Sequence, residues 1–267
     1  MAPASILALL LAACALVRGH EPGVPSDLDR ADRLVATRAQ EGRLGEAIDL
    51  LRRLAEVSPG DPQVLGRLSR ALYLRDEAAP PGSDRRWEDG VGVAWACLAG
   101  APAFAAALDR HRGRITDEVA ARIPPDRVAC LLGLVAGWSR RVQAGDPTAM
   151  AIDLEPLRAL ADRAVALDPL RATESRRLAA RVRLLVPPTL GGDRDEGTAL
   201  LEAACGPAPD AGCLVDLAVL AYGPGDARRA GALEAAAAAP AGPEPADVGR
   251  ARQQARDLLA PAGVSGD

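Results

Sequence analysis

Residues 28–61 read LDRADRLVATRAQEGRLGEAIDLLRRLAEVSPGD. Two helix-forming stretches flank Gly42, a residue suited to a tight turn, and Pro59 closes the run because it cannot continue a helix. In the second stretch Leu44, Ala47, Ile48, Leu51, Leu54 and Ala55 recur at helical spacing and make one apolar face. Ala47, close behind the turn, is small enough for two helices to cross tightly. Ser26 or Asp27 can cap the first helix.

The same grammar returns along the chain. Leu65, Leu68 and Leu72 begin a second unit, which the loop EAAPPGSDRR (77–86) interrupts. LRALADRAVALDP (157–169) is a second helix ending on Pro169. Residues 178–209 place Gly192-Asp193 at a turn, then Leu201 and Ala204, then Pro209. Residues 211–240 place Leu214, Leu217 and Ala218 before Gly225-Asp226, then Ala230, Ala237 and Pro240. A helix pair of about 34 residues with small residues at turn and crossing and a closing proline is the tetratricopeptide unit. Such units cannot bury their apolar faces alone, so they stack. The expected fold is all-α, a tetratricopeptide-like helix-hairpin solenoid over 28–240 with a less regular insert at 76–150. A linker, a terminal helix from Val248 to Leu259 and a tail fill 241–267.

Composition agrees with this and narrows the chemistry. Of 267 residues, 49% are hydrophobic and only 2% aromatic, so Leu, Val and Ala must pack the core, and strand-favouring residues are scarce. The net charge of -4 argues against a nucleic-acid partner, which needs a basic face. Every basic residue is arginine; the absence of lysine excludes a Walker A loop and Schiff-base chemistry. Neither histidine, His20 or His111, sits at zinc spacing to a cysteine, and no GxSxG, GxGxxG or HExxH is present. Asp117-Glu118, and Asp193 with Asp195 and Glu196, read as solvated helix ends. No catalytic residue, metal site or cofactor is expected, and an enzyme reading has nothing to carry it.

Residues 1–18 read as a signal peptide. Ile6 to Val17 is an apolar run too short for a bilayer, which needs about 20 residues. Leu11-Ala12-Ala13-Cys14 inside it has the form of a bacterial lipobox, making Cys14 a lipidation site; a plain secretion signal and an uncleaved anchor are the alternatives. Residues 19–27 form a tether of turn-formers. The four remaining cysteines lie in a chain that oxidation can reach. Cys205 and Cys213 flank the turn GPAPDAG and could pair across it, whereas Cys97 and Cys130 read as small buried thiols.

In the insert, Trp87, Val91, Trp95 and Leu98 form one helical stripe, and Val128 to Val142 is a strong helix carrying Trp138, Arg140 and Arg141. Two readings stay open for Trp95 and Trp138: they fill the core, or they line an apolar cavity with Arg140 at its mouth.

The chain resembles the TRAP-transporter-associated tetratricopeptide component, the TatT family. The resemblance runs through most of 28–240: Trp87-Glu88-Asp89-Gly90 to Ala94 with Phe104, Pro124-Pro125-Asp126-Arg127-Val128 to Trp138-Ser139, Arg163 to Pro169, and Pro187-Pro188-Thr189-Leu190-Gly191-Gly192-Asp193 before a Leu-Glu-x-Ala helix. Where the family tends to carry an aromatic pair, this chain has Cys130-Leu131. The resemblance implies a periplasmic lipoprotein anchored to the envelope membrane, partnered by a TRAP solute-binding protein and handling an apolar solute; self-association is left open. The alternative is a general tetratricopeptide scaffold for envelope assembly.

Overall fold

A computed structural model describes residues 26–79, 87–144, 147–167, 172–185, 188–240 and 245–260. The signal peptide with Cys14, most of the tether, Pro169 and the C-terminal tail lie outside these residues. Every regular element among them is helical: α1 (Asp27–Ala36), α2 (Arg43–Val57), α3 (Pro62–Ala78), α4 (Trp87–Ala99), α5 (Pro102–Arg110), α6 (Asp117–Ala120), α7 (Val128–Ala144), α8 (Pro147–Leu167), α9 (Ala172–Leu184), α10 (Arg194–Cys205), α11 (Ala211–Asp216), α12 (Ala227–Ala238) and α13 (Pro245–Leu259). Short 3-10 turns at Pro125–Arg127 and Pro188–Leu190 lead into α7 and α10, and α11 runs on into a π turn, Leu217–Ala221. None of these helices is singly long and apolar enough to cross a membrane.

Local chemistry explains where the helices begin. With no asparagine in the sequence, aspartate and hydroxyl side chains do the capping. Ser26 accepts the Asp29 backbone N–H while the Asp29 carboxylate accepts the Ser26 N–H, a capping box. Asp61, Asp193, Asp210 and Asp226 each accept a backbone N–H two or three residues on. Their charge also favours the positive end of the helix dipole. Gly42 enters α2 at φ 80°, the left-handed conformation that glycine adopts without strain.

Sequence neighbours pack on one another, and in the middle α7 packs at least as closely on α3 and α4 as on α8; the buried core nonetheless falls into three parts along the chain. Ala31, Ala47, Ile48, Leu51, Leu68 and Leu72 close the first part. Phe104, Leu131, Leu134, Val135, Leu157 and Leu160 lie in the largest part, under α4 to α9. Leu201, Val215, Ala218, Leu233, Ala236 and Ala255 close the last. Burying one such leucine contributes about 1.5–3 kcal/mol, which the small alanines at the crossings let the helices approach closely enough to realise. In the middle, α3, α4 and α7 meet through glycine. A Cβ on Gly66 would lie 2.7 Å from that of Ala129, and one on Gly137 would lie 2.9 Å from a Val91 methyl. One on Gly133 would strike the Ser69 hydroxyl.

Two readings from sequence need correction. The helix read at 157–169 begins at Pro147 and runs through Pro156, which lacks the N–H to bond Ile152; Ile152 is 72% exposed, on the solvent side. Cys97 and Cys130 are not separate thiols but a disulfide from α4 to α7, with Cα atoms 6.2 Å apart. Cys205 and Cys213 are likewise bonded across their turn, Cα to Cα 5.6 Å.

Candidate functional site

On α3, Arg70, Tyr73 and Glu77 lie at i, i+3 and i+7 and share one helical stripe. On α9, Glu174, Arg177 and Arg181 repeat the same spacing. The stripes face one another across the fold. An Arg70 Nη lies 3.1 Å from the Glu174 carboxylate, and an Arg181 Nη lies 3.5 Å from the Tyr73 hydroxyl. Tyr73 donates to Glu77 at 3.1 Å, and Glu77 forms an ion pair with Arg140 of α7. Arg181 donates to both oxygens of Asp216, at 3.0 and 3.1 Å, and Arg177 donates to the same carboxylate at 2.9 Å. Arg67 extends the series towards the N-terminus by donating to Asp32 of α1 at 2.9 Å. The result is a ladder of charged rungs across α1, α3, α7, α9 and α11.

Its inner rungs are strongly coupled. Burial alone would raise Asp216, but the Arg181 and Arg177 guanidiniums reverse this and hold its carboxyl below the usual carboxylate range. Burial would lower Arg181; Asp216 outweighs it and raises it. Tyr73 is raised chiefly by burial, with Glu77 adding to the effect against Arg181. Asp216 stands where α11 turns into the π segment, closed by the Tyr222 N–H on the Leu217 carbonyl at 2.7 Å. The outer rung is open: the Arg70 and Glu174 side chains are 44% and 40% exposed. A mixed-charge face of this kind is suited to holding helices in register and to meeting a polar protein surface. Among the described residues no group of three or more His, Cys, Asp or Glu is placed to share a metal ion.

The residues singled out from sequence are spread over the fold. Trp95 packs edge-on against Phe104, ring centroids 6.0 Å apart, at the margin of the central core. Trp138, half-buried against the same core, donates its indole N–H to Asp153 at 3.0 Å, with the Arg141 guanidinium 5.7 Å from its ring. Arg140 points instead to Glu77 and so belongs to the ladder. A cleft of about 460 Å³ opens elsewhere, between α10 and the turn before α12. Arg194, Asp195, Glu202, Gly223, Asp226 and Arg228 line it, and neither tryptophan does. Its groups answer one another: Arg228 reaches Glu202 at 3.0 Å and Asp226 at 2.9 Å, and Arg194 donates to the Ala221 carbonyl at 2.8 Å. Sequence reading missed Tyr73, Glu77, Arg181 and Asp216. The i, i+3, i+7 polar stripe repeated on two helices was the available signal. No protein-family model and no curated protein matches the chain.

Proposed function

We propose that the protein is a tetratricopeptide-like solenoid that works by binding another protein and not by catalysis. In this reading it is exported, held to a bacterial envelope membrane through a lipid on Cys14, and docks the periplasmic solute-binding subunit of a TRAP transporter, handling an apolar solute in that complex. One observation carries the binding role. Five helices from different parts of the chain, α1, α3, α7, α9 and α11, contribute rungs to one charged face, and helices packed side by side build recognition surfaces in this way. The blocks from Trp87 to Asp193 that resemble the TatT family point to the partner.

The test is calorimetric titration of the full chain with the TRAP solute-binding protein of the same organism. A saturable complex is expected, and Arg70→Glu, which reverses an exposed rung outside the core, should weaken it about tenfold. No complex with that subunit would overturn the docking role. Cell fractionation tests the anchor separately: Cys14→Ser should move the protein from membranes to the soluble fraction, and wild-type protein already soluble would sink the lipid anchor.

A further inference from the structure

The two disulfides sit beside opposite charges. At Cys97–Cys130 a guanidinium lies against the sulfur, with an Arg127 Nη 3.6 Å from Cys97 Sγ. The same nitrogen donates to the Cys97 carbonyl at 2.7 Å and to the Gly60 carbonyl at 3.3 Å, so it is held there from two sides. The Arg127 side chain is 13% exposed, and its Nε is buried without a hydrogen-bond partner. Among the described residues the one carboxylate at ion-pair distance belongs to its neighbour Asp126, 3.8 Å away and 60% exposed. Little therefore offsets the charge at the sulfur. At Cys205–Cys213 the sign is reversed. The Asp210 carboxylate accepts the Cys213 N–H at 2.7 Å, and Arg177 answers that carboxylate only from 3.7 Å.

Capping accounts for the hydrogen bonds of Arg127, because Cys97 lies in the last turn of α4, where carbonyls lack helical partners. Capping does not cancel the field at the sulfur. A disulfide opens by expelling one sulfur as a thiolate, and a cation beside that sulfur favours it as the leaving group. The negative end of α4 opposes a thiolate, but it carries only about half a charge, and the same guanidinium covers its Cys97 carbonyl. We propose that Cys97–Cys130 is a redox-reactive pair that takes a dithiol as its reductant, with Cys97 as the leaving thiolate and Arg127 as the residue that stabilises it. One thiolate of the dithiol attacks Cys130 Sγ, the bond to Cys97 breaks, and Cys97 keeps the electron pair beside Arg127. The second thiol of the dithiol gives up its proton and attacks the mixed disulfide. The dithiol departs oxidised to its own disulfide, and Cys130 leaves as a thiol on taking up a proton. Opening removes the covalent tie between α4 and α7, so a reducing environment loosens the insert. Both cysteines are 0% exposed, so exchange waits on a local opening, and the guanidinium sets the equilibrium more than the rate. The proposal does not rest on the partner named above.

The test is equilibration of the full chain at neutral pH in buffers of graded reduced-to-oxidised dithiothreitol ratio, followed by alkylation and mass spectrometry of each pair. Cys97–Cys130 should open within the series. Arg127→Gln should need a reduced-to-oxidised ratio about tenfold higher to open it, while Cys205–Cys213 keeps its midpoint. Arg127→Lys, which keeps the charge, should hold the midpoint nearer to wild type. An Arg127 with only a capping role would lower the melting temperature of the glutamine variant and leave the Cys97–Cys130 midpoint in place, and that result overturns the proposal. So does a Cys97–Cys130 pair that stays oxidised at every ratio that opens Cys205–Cys213. Should Arg127→Gln not fold, reduced wild-type protein decides: alkylation of Cys97 should set in well below the ordinary thiol value of about 8.5, and an onset at or above it overturns the proposal.

Discussion

Arg112, Gly133 and Asp216 each occupy a tightly constrained position, for three different reasons. At Arg112 the constraint is the backbone: a non-glycine left-handed residue costs about 1 kcal/mol or more, so Arg112→Gly should raise the unfolding free energy by about that amount in urea titration. At Gly133 it is space, because any Cβ meets Ser69, whose hydroxyl already donates to the Gly90 carbonyl at 2.9 Å. Gly133→Val should cost about 1–3 kcal/mol by overpacking, and a variant that melts like wild type would show that α3 and α7 can part freely. At Asp216 it is charge: Asp216→Ala leaves Arg181 half-buried without its partner, at a cost of about 3–5 kcal/mol. The pH dependence has a definite sign. The folded-state pKa of Asp216 is depressed, so its contribution is complete above the ordinary aspartate value of about 3.9 and is lost as pH falls through the lower folded value. Tyr73 is raised, so its contribution is complete below about 10 and is lost as pH rises through the folded value.

Among elements, the two disulfides differ in what they close. Cys205–Cys213 spans a separation of 8 and ties α10 to α11, while Cys97–Cys130 spans 33 and ties the insert helix α4 to α7. On loop entropy the short one is worth about 2.5 kcal/mol and the long one about 3.7 kcal/mol. Cys130→Ala should therefore lower the denaturation midpoint more than Cys213→Ala, and the opposite order would place the stability of the insert elsewhere. Thiol titration of unreduced, denatured protein should find these four cysteines blocked. The short pair was visible in sequence because a Gly/Pro turn separates its members. The long pair was not, since connectivity between helices depends on how they stack. The same division runs through the other elements. The first hairpin was legible because Gly42, Pro59 and the Leu44 to Ala55 stripe are local signals. The start of α8 was not: Pro156 reads as a helix boundary, yet the stretch before it is helical. The ladder was least legible of all, for Arg70 and Glu174 are 104 positions apart and meet only once α3 and α9 have both packed on α7.

Over the whole molecule, stability should be distributed as the cores are. The buried residues fall into three clusters along the chain, so the parts around them should open as linked local units more than as one cooperative block. The ladder opposes that independence. Asp216 holds Arg177 and Arg181, Arg181 lies beside Tyr73, and Tyr73 bonds Glu77, which carries Arg140, so one chain of polar contacts joins the central core to the last one. Two outcomes of native-state hydrogen exchange separate these tendencies. Reducing Cys205–Cys213 removes a constraint inside the last core, and it should lower protection in α10 to α12 while leaving α1 to α3 near their wild-type values. Removing the Asp216 carboxylate instead cuts the link between cores, and the protection it lowers should extend across α9 and into the ends of α3 and α7, where no core residue has changed. Equal loss everywhere in both variants would mean that the chain unfolds as a single unit and that the ladder adds nothing to the coupling. Loss confined to α11 and α12 in both would mean that the rungs are decoration on separately stable parts. A gradient falling from α9 towards α1 in the Asp216 variant, absent on reduction, is what a charged face that holds these helices in register requires.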